Sequence, residues 1–143
     1  MSALTKFYAE NFKDGDDVLD ICSSWVSHYP KDWKGGNVVG LGMNEYELSK
    51  NPQLSSFVVA DLNKKPVLPF DDASFDKVTC VVSVDYCKSC ALVPSIISEI
   101  SNIVVGAFAF ATVNKPLEIF KEIGRVLRPG GECYISMSNR WLV

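Results

Sequence analysis

The sequence predicts an α/β fold in which helices cover both faces of a doubly wound, mostly parallel sheet. Two observations predict this fold. Short apolar runs rich in β-branched residues recur along the 143 residues, and helical or turn-forming stretches separate them. Most of these runs are apolar at every position rather than at every second one, which is typical of strands buried on both faces.

Five strands are expected, and turn-forming residues precede the first two. Asp14–Asp17 leads into the first strand, and Lys34–Gly36 leads into the second. The expected strands are Val18–Ile21, Asn37–Gly40, Phe57–Ala60, Val78–Val84 and Tyr134–Met137.

Two helices have sequence signals at their ends. Asn44 and Glu47 have the spacing of a capping box, which predicts a helix beginning after Asn44. A second helix is expected after Pro116 and before the breaking sequence Arg128–Gly131. Its apolar residues recur at helical spacing: Leu117, Phe120, Ile123 and Leu127.

The composition indicates one domain and disfavours several classes of partner. The chain is long enough for one core, and its net charge of −3 disfavours nonspecific nucleic-acid binding. The N-terminal residues lack the features of a secretory or transit peptide, and five cysteines, an odd number, do not suggest a disulfide framework. We expect a soluble intracellular protein, cytoplasmic by default, or plastid-located if this form lacks a targeting segment.

A long apolar stretch, Ala91–Val113, raises the question of a membrane span. Pro94 and Glu99 interrupt it, and its uncharged part, Ile100–Val113, is shorter than the roughly 20 residues that a spanning helix needs. We therefore expect a buried or interfacial segment and no membrane span.

In a doubly wound sheet, ligands bind beyond the carboxyl ends of the strands. The segments that follow the expected strands are therefore the candidate ligand-binding residues. These segments are Cys22–Trp25, Leu41–Glu45, Asp61–Leu62 and Asp85–Tyr86.

Several motifs occur together in a family-specific order. They are Val18–Trp25, Val58–Leu62, Leu68–Asp76 (LPFDDASFD) and Glu122–Gly131 (EIGRVLRPGG). In this combination the chain resembles the class I S-adenosylmethionine-dependent methyltransferases. It is most similar to the type-11 enzymes, and in particular to a plant or algal branch.

The resemblance implies a cofactor loop after the first strand. The loop from Asp20 to Trp25 would hold the methionine part of S-adenosyl-L-methionine. Cys22, Ser23 and Ser24 stand where the family has glycines, so the loop is expected to sit differently, with serine hydroxyls available to the cofactor carboxylate.

The same resemblance implies contacts to the nucleoside. Gly42 stands where the family has an acidic residue for the ribose hydroxyls, so Asn44 or Glu45 would have to substitute. Asp61 matches the residue that meets the adenine amino group, beside the Leu62 backbone; the alternative for Asp61 is a turn residue at a strand end.

The implied reaction asks little of the protein's functional groups. An activated methyl group needs positioning and exclusion of water, and a base only if the acceptor must lose a proton. Asp85 is the candidate base, with a helix or loop cap as the alternative reading. The acceptor would be a small molecule that no residue identifies.

Two other motifs suggest different chemistry. Cys87–Cys90 is a single Cys-x-x-Cys pair without the further ligands of a zinc site, so no metal site is expected. Gly40-Leu41-Gly42 follows a strand and precedes Asp61 by about 20 residues, as in a dinucleotide fingerprint, but a third glycine is missing. A nicotinamide-dependent oxidoreductase is therefore an alternative function.

The chain departs from the family pattern in two places. Residues 87–113 are extra relative to the family spacing, and they are either a substrate lid or foreign to the fold. The sequence also stops soon after the fifth strand, so the domain is expected to be partial and Tyr134–Met137 to form an open edge that favours self-association. A truncated, non-catalytic isoform is thus a further alternative.

Overall fold

The computed structural model describes residues 2–83, 103–105 and 115–138. Within these ranges lie three helices and six strands. In chain order they are α1 (Ala3–Asn11), β1 (Val18–Ile21), β2 (Val38–Gly42), α2 (Glu45–Lys50), β3 (Ser56–Val59), β4 (Phe75–Ser83), β5 (Ile103–Val105), α3 (Pro116–Val126) and β6 (Leu127–Ser138).

The strands form one sheet in the order β3-β2-β1-β4-β6-β5, and every described pairing is parallel. The order reverses direction at β1, because β2 and β3 lie on one side of it and β4, β6 and β5 on the other. The predicted doubly wound α/β fold is therefore confirmed, and each expected strand overlaps an observed one.

The predicted start of α2 is also confirmed. The Asn44 side-chain oxygen accepts a hydrogen bond from the Glu47 backbone N–H at 3.3 Å, and its amide donates to the Glu47 carboxylate at 2.9 Å. These bonds satisfy one backbone donor that a helix start leaves unpaired and hold the Glu47 side chain against the cap.

Helix α1 and strand β5 were not predicted from the sequence. Serine is a preferred residue at helix starts, so Ser2 was an available sequence signal for α1. In the structure the Ser2 hydroxyl caps this helix by accepting a hydrogen bond from the Thr5 N–H at 3.1 Å. Its buried residue, Tyr8, packs against Tyr134 of β6 and against Tyr29, which lies between β1 and β2.

Strand β5 corrects one expectation about the sheet edge. Ile103–Val105 lies within the predicted insertion, and it pairs with Cys133, Tyr134 and Ile135 of β6. The expectation that Tyr134–Met137 is an open edge is therefore wrong at Tyr134 and Ile135, because this chain itself supplies a neighbouring strand. The other residues of the insertion lie outside the described ranges.

The breaking sequence after α3 interrupts β6 rather than preceding it. Leu127 pairs with Phe75, and regular pairing resumes at Glu132 with Lys77, so Arg128–Gly131 bulges from the ladder. Gly130, with a φ of 80°, supplies the left-handed conformation in this bulge.

The two faces of the sheet bury different clusters. Leu19, Ile21 and Leu41 face the side covered by α3, whose Phe120 and Ile123 are fully buried there. The alternate residues Val18 and Val38 face the side of α1 with a cluster of aromatic rings. This alternation decides on which face each polar side chain of β1 lies.

Hydrogen bonds join two of the motifs on which the resemblance rests, Leu68–Asp76 and Glu122–Gly131. Arg125 donates to the backbone carbonyls of Leu68 and Phe70 at 2.9 and 2.8 Å, and to Asp72 at 2.7 Å. The Glu122 carboxylate accepts from the Leu68 N–H at 2.9 Å. These motif residues therefore fasten the segment before β4 to α3.

Candidate functional site

A cavity of about 260 Å³ opens where β1, β2 and β3 end. The carboxyl ends of parallel strands are the usual ligand-binding edge of such a sheet. The described residues that line it are Cys22, Ser23, Ser24, Leu41, Gly42, Met43, Asn44, Glu47, Ala60, Leu62 and Asn63.

The loop after β1 reaches across the end of β2 to form one wall of the cavity. Cys22 adopts a left-handed backbone conformation with a φ of 58°, at a position where the resemblance expects glycine. The Ser23 N–H then donates to the Leu41 carbonyl at 3.0 Å. The glycine-free loop is therefore accommodated by strain at Cys22, which typically costs about 1–2 kcal/mol.

Asp20 is not among the residues that line this cavity. Like Val18, it points from β1 toward the side of the sheet that α1 covers, and it is buried there. Its carboxylate accepts hydrogen bonds from three hydroxyls: Ser23 at 2.7 Å, Ser27 at 2.6 Å and Thr79 at 3.0 Å.

Burial raises the pKa of Asp20, and the three hydroxyl donors oppose this shift only in part. Asn51 extends the same network by donating to the Ser24 carbonyl and to Ser27, both at 2.9 Å. Asp20 therefore stabilises the conformation of the β1 loop without lining the cavity. It would affect a ligand indirectly, through its hydrogen bond to Ser23 and through the Ser27 and Asn51 contacts that reach Ser24.

Gly42 has no room for a side chain. A Cβ atom there would lie 2.6 Å from the Ser23 carbonyl oxygen, which is shorter than any ordinary contact. An acidic side chain at this position, which the resemblance implies, would therefore clash with the β1 loop.

The two suggested substitutes for that acid differ in position. Asn44 lines the cavity, whereas Glu45 is exposed and does not. Glu47, which the sequence indicated only as a capping residue, also lines the cavity. The spacing of Glu47 from Asn44 was the sequence signal for this position. In a capping box the glutamate side chain reaches back to the start of the helix, and here the helix begins next to the end of β2.

The third strand brings Leu62 to the cavity but not Asp61. The Asp61 carboxylate accepts from the Asn63 backbone N–H at 3.0 Å and lies 3.8 Å from the Lys64 ammonium. This is the geometry of a turn residue at a strand end, which was the alternative reading of Asp61.

The nicotinamide alternative loses its structural basis. Gly40 and Gly42 belong to β2 rather than to a turn after it, and a Cβ atom at Gly40 would lie 2.4 Å from a methyl carbon of Leu54. A dinucleotide fingerprint needs its glycines in the loop that meets the pyrophosphate.

Several predictions concern residues outside the described ranges. These residues are the candidate base Asp85, the cysteine pair Cys87 and Cys90, and most of the apolar stretch Ala91–Val113. Within the described ranges, no three His, Cys, Asp or Glu side chains converge as metal ligands. No helix in those ranges has both the length and the apolar character needed to cross a bilayer.

Comparison with solved structures shows the same fold in methyltransferases. One match is in the complex between the Haloferax volcanii Trm112 methyltransferase activator and a protein assigned as a methyltransferase, with 23% identity and a TM-score of 0.60. Another is an S-adenosylmethionine-dependent methyltransferase from Mesorhizobium loti, with 17% identity and a TM-score of 0.56. A third is the [4+2]-cyclase SpnF, with 19% identity and a TM-score of 0.59.

The matches cover most of this chain but only half of each relative. They span 91%, 93% and 92% of this chain, and 49%, 53% and 43% of the Haloferax, Mesorhizobium and SpnF chains. No family model matches the sequence, and no curated protein matches it. The described sheet and helices therefore have the Rossmann-like fold of class I methyltransferases.

Proposed function

We propose that this chain binds S-adenosyl-L-methionine in the strand-end cavity and transfers its methyl group to a small-molecule acceptor. One observation carries the proposal. Six of the eight residues that the resemblance implies for the cofactor meet around this one cavity, at the ligand-binding edge of a methyltransferase fold. They are Cys22, Ser23, Ser24, Gly42, Asn44 and Leu62.

The lining contains both polar and apolar residues, which suits this cofactor. Ser23 and Ser24 of the β1 loop are polar and suit the amino-acid part of the cofactor. Leu41, Ala60 and Leu62 are apolar and suit a flat, weakly polar ring. The volume of about 260 Å³ is slightly below the range of small-molecule sites, which is roughly 300–1,000 Å³.

The chain's own residues would act mainly by positioning. The bound cofactor supplies a methyl group already activated on a sulfonium. Ser23 is held at both its backbone N–H and its hydroxyl, so the loop that would orient the cofactor is preorganised. Asp85 remains the proposed base for an acceptor that must lose a proton.

The finer assignments are part of the same proposal. We infer a type-11-like methyltransferase domain over residues 1–143 with an insertion at about 87–113, in a soluble protein of the cell interior. The alternative is a form that binds the cofactor without catalysing transfer. One structural relative, SpnF, is a [4+2]-cyclase, so this fold also occurs in a protein named for a different reaction.

Calorimetric titration tests the cofactor assignment. S-adenosylmethionine and S-adenosylhomocysteine should bind, and NADH should not. Ser24→Ala should weaken binding several-fold, because Ser24 lines the cavity. Ser49→Ala is the matched control, because Ser49 is exposed on α2 and absent from the lining.

Binding of NADH alone, or equal effects of the two serine substitutions, would contradict the cofactor assignment. Transfer of a labelled methyl group to a panel of small hydroxyl, amine and carbon acceptors then separates an active enzyme from a binding protein.

A further inference from the structure

Glu47 places a carboxylate in the wall of the cavity and is held there by neutral groups. The Ser24 hydroxyl donates to one carboxylate oxygen at 2.6 Å, and the Asn44 amide donates to the other at 2.9 Å. Both donors also line the cavity. The carboxylate is therefore fixed at the cavity wall by the β1 loop on one side and the α2 cap on the other.

Glu47 differs from the other partly buried glutamates in having no cationic partner among the described residues. Glu122 pairs with Arg125 at 2.8 Å, and Glu132 pairs with Lys77. The partners of Glu47 are a hydroxyl and an amide, which orient its charge without neutralising it. Among the described lining residues it is also the single charged side chain.

We propose that Glu47 makes the cavity select a cationic ligand, and that it distinguishes the sulfonium cofactor from its neutral thioether product. This inference rests on the proposed function. When the methyl group leaves, the carbon–sulfur bond breaks, its electron pair stays on sulfur, and the acceptor forms the new bond to carbon. The positive charge on sulfur disappears in that step, so the attraction to Glu47 is lost and the product is held less tightly.

A charge in a half-buried, partly hydrated site should produce a moderate effect. Glu47 is intermediate in exposure, so solvent screens its attraction for a cation. We expect its removal to weaken binding of the sulfonium ligand by about two- to fivefold, the range for a screened charge pair. Binding of the thioether should change by less than about twofold, because the two ligands differ in the charge on sulfur.

Calorimetry of Glu47→Gln with S-adenosylmethionine and S-adenosylhomocysteine tests this inference. Glutamine keeps one oxygen that can accept from the Asn44 amide, and its NH2 group can donate to the Ser24 hydroxyl oxygen, so the cavity wall is retained while its charge is removed. Glu45→Gln is the matched control, because Glu45 lies in the first turn of the same helix but is exposed and does not line the cavity. Thermal unfolding of both variants checks that they are folded.

The expected result is a fall in the ratio of sulfonium to thioether affinity in Glu47→Gln and an unchanged ratio in Glu45→Gln. An unchanged ratio in Glu47→Gln, or an equal loss of both ligands, would overturn the inference and leave the cofactor proposal standing. Failure of the unmodified chain to bind either ligand would instead overturn the proposed function, and the charge-selection inference with it.

Discussion

Replacing Gly42 with alanine should destabilise the protein, although the same change usually stabilises a strand. Alanine loses less backbone entropy on folding than glycine, which favours it by about 0.5–1 kcal/mol where a Cβ has space. At Gly42 the added Cβ would lie 2.6 Å from the Ser23 carbonyl oxygen and 3.4 Å from a Leu48 methyl group.

The magnitude follows from how firmly Ser23 is held. Its N–H donates to Leu41 at 3.0 Å and its hydroxyl donates to Asp20 at 2.7 Å, so its carbonyl cannot move away without weakening one of these bonds. One such bond contributes about 1 kcal/mol, and forced overpacking costs about 1–3 kcal/mol. We expect Gly42→Ala to lower the free energy of unfolding by about 2 kcal/mol.

Urea unfolding followed by circular dichroism measures this change, with Gly124→Ala as the matched control. Gly124 is exposed on α3, and a Cβ there would meet no atom within 4 Å. That substitution should raise the free energy of unfolding by about 0.5–1 kcal/mol, because alanine is the better helix former. If Gly42→Ala stabilises the chain as Gly124→Ala does, the β1 loop does not cross the end of β2 as described.

Three further changes test other parts of the structure. Ala73→Gly should raise the free energy of unfolding by up to about 1 kcal/mol in urea titrations, because exposed Ala73 has a left-handed φ of 52°; a loss of stability would contradict this. Asp20→Ala should lower the free energy of unfolding by at least about 2 kcal/mol in the same assay, because it removes the acceptor of three hydroxyl hydrogen bonds. Asp20→Asn should lower it by less, and equal losses in the two variants would refute the hydrogen-bond network. Hydrogen bonds from the Asn37 N–H and from Arg128 lower the pKa of Asp17. This carboxylate therefore stabilises the fold above its unfolded pKa of about 4, and the stabilisation is lost as pH falls through the lower folded value. Arg128→Met should flatten the loss of stability below about pH 4 in acid unfolding curves, and an unchanged slope would count against this ion pair.

The sequence by itself determined the fold class and most element positions, because these depend on local patterns. The continuous apolar run of Val18–Ile21 predicted a strand with the same bounds as the observed β1. The spacing of Asn44 and Glu47 predicted the start of α2, since a cap needs only residues three apart. Residues 103–105 were missed because a three-residue strand has no recognisable period and exists only through its pairing with β6.

The tertiary structure alone decided which candidate residues meet. Asp20 and Cys22 are two residues apart, yet one is buried on the α1 face and the other lines the cavity, because the left-handed turn at Cys22 ends the strand's alternation. No side chain fits at Gly42, because the carbonyl oxygen of Ser23, which is distant in sequence, occupies that space. Glu47 gained its position from contacts with two separate segments. Such placements depend on how loops cross the ends of strands. The order of residue types along the chain does not show which residues from different segments come into contact.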